Sequence, residues 1–98
     1  MSTSPLSDVT SVVASGDALA TEFGTELVVL NLRDGVYYGL EDVGARIWQL
    51  LQEPVTLATI RDTVVSEFDV EAARCERDIR TLLSELAERG LVEIRTHP

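Results

Sequence analysis

The apolar residues of this chain change their spacing once, near residue 42, and that change limits the fold more than any other feature. Before it lie three short extended signals: "SVVAS" (11–15), "ELVVLNL" (26–32) and "GVYYGL" (35–40). They are rich in β-branched and aromatic residues, which suit a pleated surface. Between the last two, Asp34-Gly35 is a strong hairpin signal, because Gly accepts positive φ. After residue 42 the apolar positions recur at helical spacing. Asp42 is placed to cap a helix with Val43, Ile47, Leu50 and Leu51 on one face, and Pro54 stops it. Thr56 caps a second helix, with Leu57, Ile60, Val64 and Val65 inward and Phe68 at its end. A third starts near Glu71 and carries Cys75, Ile79, Leu82, Leu83 and Leu86 as a stripe, with Gly90 beyond its end. "LVEIR" (91–95) is a final extended segment. The predicted fold is α+β and winged-helix-like: a three-stranded antiparallel sheet followed by three bundled helices. Residues 1–10, rich in Ser and Thr with Pro5, read as a disordered tail before a single domain at 11–95. An open sheet of this kind has two edges, which need protection or a use.

Composition narrows function mainly by exclusion. The 98 residues carry a net charge of −9, and all eight basic residues are Arg. Nucleic-acid binding draws on displacement of counterions by basic side chains, which a strongly acidic domain supplies poorly. No apolar run is long enough to span a bilayer, and "MSTSPLSDVTS" has no secretory pattern, so the default expectation is a cytoplasmic protein that does not bind membranes. One Cys and one His, Cys75 and His97, offer no metal-ligand spacing and no disulfide. No phosphate loop is present, and Glu41-Asp42 and Asp69/Glu71 fall at helix starts, where they complement the helix dipole. No catalytic residues, metal or cofactor are assigned, and the chain is not expected to be an enzyme. The third helix does carry charges at interacting distance: Glu76 with Arg80, and Glu71 with Arg74.

Binding is the function left, and specific residues point to its kind. "YYGLEDVGARIWQLL" (37–51), "TLATIRDTVVSEFDV" (56–70) and "DIRTLLSELAERGLVE" (78–93) together resemble the PqqD family. The resemblance rests on an aromatic strand leading to Leu40, then Val43-Gly44, Ile47-Trp48 and Glu67-Phe68-Asp69-Val70, and it covers about residues 11–94. It implies a recognition element for ribosomally made, post-translationally modified peptides. Such an element binds the leader segment of a precursor peptide and presents it to a leader protease or other modifying enzyme. The free-standing, acidic, Arg-only character looks most like the partners of lasso-peptide maturation. A chaperone for a radical-SAM peptide-modifying enzyme and a winged-helix nucleic-acid-binding domain are the alternatives.

The resemblance also implies where the guest lies: added as a strand to the edge at Val36–Gly39, against the third helix. The expected contacts are Val36, Tyr37, Tyr38 and Gly39 on the strand, and Arg74, Cys75, Asp78, Ile79, Leu82 and Leu86 on the helix. Val43, Ile47 and Trp48 are expected in the core. Because side chains alternate across a strand, Tyr37 and Tyr38 must face opposite ways. A monomer, or a weak dimer paired through the open edge, is expected.

Overall fold

The computed structural model describes residues 9–95, and these form two small antiparallel sheets and three helices. The strands are β1 (Ser11–Ala14), β2 (Ala18–Phe23), β3 (Glu26–Asn31), β4 (Tyr37–Leu40), β5 (Val55–Thr56) and β6 (Val92–Arg95). The helices are α1 (Val43–Leu50), α2 (Leu57–Glu67) and α3 (Ala72–Glu88). The predicted class holds: a three-stranded antiparallel sheet, β2-β3-β4, precedes the three helices. Its membership differs from the prediction in one strand. The segment predicted first, 11–15, belongs to a second sheet, β5-β1-β6, where it pairs with β6 near the other end of the chain. Its place beside β3 is taken by β2, whose hairpin turns at Gly24 with φ 68°.

The hairpin at Asp34-Gly35 forms as its residues demand. Gly35 sits at φ 76°, and Asp34 Oδ1 accepts from the Val36 N–H at 2.9 Å. Val36 itself precedes β4, yet its carbonyl still accepts from the Asn31 N–H at 2.8 Å. In β2-β3-β4 the inward face carries Ala18, Ala20, Leu27, Val29, Tyr38 and Leu40, all packed on the core. Ala at two of these positions keeps β2 thin and close to what it covers.

Helix ends are set by identifiable contacts. Thr56 caps α2 as expected: its hydroxyl accepts from the Thr59 N–H at 3.2 Å. Asp42 stands at the N-cap of α1 but makes no side-chain cap bond. Its backbone is at φ 51°, whereas a cap that reaches back to the first turn needs extended backbone. Beyond α3, the Gly90 N–H donates to the Ala87 carbonyl at 3.0 Å and the Leu91 N–H to the Leu86 carbonyl at 2.9 Å. That pair is a Schellman closure, with Gly90 at φ 72° and the wholly buried Leu86 and Leu91 in the accompanying apolar positions.

The core lies between the sheets and the helices. Leu51, Leu57, Ile60, Val64, Leu83, Leu86 and Leu91 have no exposed surface, and each such side chain contributes about 1.5–3 kcal/mol by leaving water. Trp48 is buried as predicted. Thr10, predicted in the tail, is also buried, and its carbonyl accepts from the Leu57 N–H at 3.1 Å. Val9 is exposed, and the rest of the predicted tail, 1–8, lies with His97 outside the described residues.

Candidate functional site

Strand β4 is an edge of its sheet, and the register decides which backbone groups it offers. Hydrogen-bonded and non-bonded pairs alternate along an antiparallel ladder. The Asn31 N–H donates to Val36, so Asn31–Val36 is a bonded pair, and so is Val29–Tyr38 two residues on. Tyr37 and Gly39 are therefore in non-bonded pairs with Leu30 and Val28, and their N–H and C=O groups point away from the sheet.

The two tyrosines part as the alternation requires. Tyr38 faces inward, and its hydroxyl donates to the Glu85 carboxylate on α3. The Arg89 guanidinium lies 5.1 Å from the centre of the Tyr38 ring. The hydrogen bond to Glu85, and then burial, push the Tyr38 pKa above its ordinary value. Tyr37 faces out and is 69% exposed. Asn31 reinforces the same junction: its Nδ2 donates to the Arg89 carbonyl at 2.8 Å, and its Oδ1 accepts from the Arg33 N–H at 2.9 Å. Strand β4 and the C-terminal part of α3 are thus fastened together.

Toward the start of α3 the molecule opens into a groove of about 640 Å³. Its floor is apolar: Val43 and Ile47 from α1, Val64 from α2, and Cys75, Ile79 and Leu82 from α3. Its rim carries Asp69, Glu71 and Asp78 against a single Arg74. Arg74 and Asp78 are 4.0 Å apart and both largely exposed, so their pairing is weak. Strand β4 runs directly through Glu41 and Asp42 into α1, whose Val43 and Gly44 line the groove. Gly44 lets α1 start close to the strand, since a Cβ there would stand 3.1 Å from Leu40 Cδ2.

The helices that wall the groove are held by ion pairs on its outside. Arg46 of α1 grips Glu67 of α2 through two bonds, at 2.7 and 2.9 Å. Arg61 of α2 donates to Glu76 of α3 at 2.8 Å, and Arg80 reaches Glu76 at 3.3 Å, the predicted pair four residues apart. The hydrogen bond from Arg46 holds the Glu67 carboxyl below the ordinary range, and that from Arg61 does the same to Glu76.

Of the expected contacts, Arg74, Cys75, Asp78, Ile79 and Leu82 come together in this groove. Val36, Tyr37, Tyr38 and Gly39 lie on or beside the strand edge. Leu86 does neither: it is wholly buried on the core side of α3. Val43 and Ile47, expected only in the core, also line the groove, as do Gly44, Val64 and the 69–71 connection. A signal for the last was present in Val70, an apolar residue between two acids. Gly39 has a role not foreseen: a Cβ there would stand only 3.0 Å from Glu26 Oε2, so Gly39 leaves room for that carboxylate. Burial raises the Cys75 thiol pKa, with Asp78 adding to it, so the thiol stays protonated and is a poor nucleophile. Among the described residues no group of acidic, His or Cys side chains is arranged to hold a metal, and no helix is long and apolar enough to cross a membrane.

An open-edged antiparallel sheet joined to three helices defines the class, a winged-helix-like α+β domain. Within that class the chain belongs to the PqqD family: the family described as "Coenzyme PQQ synthesis protein D (PqqD)" matches over residues 26–92. Two solved structures are similar. One is TbiB1 in complex with the TbiA(beta) leader peptide, 37% identical, with a TM-score of 0.75, covering 83% of this chain and 94% of that one. The other is a lasso peptide synthetase B1 complexed with the leader peptide, 29% identical, with a TM-score of 0.74, covering 84% and 96%. No curated protein matches the chain.

Proposed function

We propose that this protein binds the leader segment of a ribosomally made precursor peptide and delivers it to a maturation enzyme, the leader protease or cyclase of a lasso-peptide pathway. It acts as a recognition partner, not as a catalyst. The observation that carries the reading is the open edge of β4, with the outward backbone groups of Tyr37 and Gly39, beside an apolar groove. Both solved relatives are complexes with leader peptides, and one is named for lasso-peptide synthesis, which supports this over a radical-SAM partner.

The energetics fit strand addition. Two N–H and two C=O groups at about 0.5–1.5 kcal/mol each supply roughly 2–6 kcal/mol. A micromolar complex needs about 8 kcal/mol. The difference matches one or two apolar leader side chains entering the groove over Val43, Cys75 and Leu82, at about 1.5–3 kcal/mol each. Three rim acids against one Arg favour a leader with basic residues beside its apolar anchor. The same acidity opposes the nucleic-acid reading, since Glu71, Glu76, Asp78, Glu85 and Glu88 share α3 and its N-cap with the Arg residues.

The test is fluorescence anisotropy of the full chain with the labelled leader of the precursor encoded beside its gene. The expected dissociation constant is about 10 μM or tighter, and absence of binding at about 100 μM overturns the reading.

A further inference from the structure

The sheet has a second surface that the groove does not use. Its outer face, turned away from the helices, carries an unbroken apolar row: Leu19 of β2 pairs with Leu30 of β3, which pairs with Tyr37 of β4. Val28 lies beside the row; Phe23, at the end of β2, stands beyond Thr21 and pairs with Glu26, and Leu32 lies just past β3. Phe23 is 75% exposed, Leu32 59% and Leu19 51%. Strands about 4.8 Å apart and six residues at about 3.3 Å give a face of roughly 200–300 Å². Isolated apolar residues on a surface are ordinary, but apolar side chains gathered in a row on one sheet face and rimmed by charge are a candidate interaction site.

The surrounding charges say what covers it. Glu26 and Glu41 flank one end of the face, and Asp17 and Asp34 the other. Arg33 is the one basic residue there, 3.9 Å from Asp17. An acidic border repels nucleic acid and anionic lipid. It also opposes a second copy, which would bring an identical acidic border, on a chain of net charge −9, against this one. A protein partner whose own apolar face is bordered by Lys or Arg meets both requirements.

We propose that the outer face of β2-β3-β4 docks the maturation enzyme, through an apolar surface on that enzyme bordered by basic residues. Peptide capture and enzyme docking then meet at Tyr37, through its backbone edge and its side chain respectively, and otherwise use different sides of one sheet. The proposal rests on the delivery reading above for the identity of the partner. Leu19 and Phe23 lie on β2, the edge opposite β4, so changing them leaves the proposed peptide site untouched.

The experiment measures association of the purified leader protease, encoded beside the precursor, with the full chain and with Leu19→Glu and Phe23→Ser, by biolayer interferometry. Leader anisotropy and thermal melting are run on the same proteins. The expected result is at least about a tenfold loss of protease association in both variants, with leader affinity within about twofold of the parent and association weakening as salt is raised. Undiminished protease association in folded variants overturns the proposal. So does a parent dimer in sedimentation that Leu19→Glu dissolves, or parent binding to phosphatidylserine vesicles that Leu19→Glu abolishes. A parent that binds protease but no leader refutes the peptide reading alone.

Discussion

Replacing Tyr37 by Pro tests strand addition at a single backbone atom. The Tyr37 N–H points out of the sheet, so its removal costs the β3–β4 ladder nothing, and Pro is tolerated on edge strands in that position. A guest strand loses the bond from that N–H, about 1 kcal/mol net. The Pro ring also stands where the guest carbonyl would approach, and an acceptor left unpaired costs about 1–3 kcal/mol more. The sum, about 2–4 kcal/mol, lowers affinity roughly 30- to 700-fold. Tyr37→Ala is the reference, since it removes the side chain and keeps the N–H. Tyr38→Pro is the opposite control: the Tyr38 N–H belongs to the bonded pair with Val29, so this change unfolds the hairpin. Leader anisotropy and thermal melting of the three variants give the answer. If Tyr37→Pro binds within about threefold of Tyr37→Ala while both melt alike, the guest does not pair with β4 and the reasoning is refuted.

Further predictions follow from the groove and the junction. Leu82→Glu puts a charge on the groove floor at a half-buried position, so leader affinity should fall at least about tenfold in the anisotropy assay with melting little changed. Asn31→Leu removes both partners of a buried side chain and leaves the Arg89 carbonyl unpaired; urea denaturation should show a loss of about 1–3 kcal/mol. Gly90→Ala forces a Cβ into the left-handed region and to 2.9 Å from Asn31 Nδ2, for a loss of at least about 1–2 kcal/mol by the same measurement. Arg61 depresses the Glu76 carboxyl, so this pair's stabilisation is complete above the ordinary carboxylate range and is lost as pH falls through the depressed value. Glu76→Gln should therefore lower the melting temperature at neutral pH and narrow the gap to the parent in acid.

The features legible in the sequence were those written in local chemistry. Asp34-Gly35 announced its turn, Thr56 its cap and Gly90 its helix end, because each acts on neighbours within a few residues. The helical stripes were legible for the same reason. Strand β2 was not: "ALATEF" turns alanines inward, and small residues give no alternating apolar signal. The partner of β1 was hidden because it lies about eighty residues away, where no local pattern reaches. The strand side of the candidate site was legible through the two tyrosines, and alternation stated that they part. Which one turned inward depended on Glu85 and Arg89, far along the chain. Val43 and Ile47 read as core because a groove floor and a core have the same composition.

The fastening of β4 to the end of α3 has a consequence for when the site exists during synthesis. Asn31 and Arg89 are 58 residues apart, and Tyr38 and Glu85 are 47 apart. At about 5–20 residues per second, a ribosome extends the chain for several seconds after the hairpin emerges before its other wall follows. Throughout that interval any strand edge that forms has no groove beside it. A guest peptide meeting the nascent hairpin finds backbone partners but no pocket, and the roughly 2–6 kcal/mol from those partners alone holds it only briefly. On the proposed reading, selective capture of a leader waits for the helices, so that a half-made receptor does not sequester precursor.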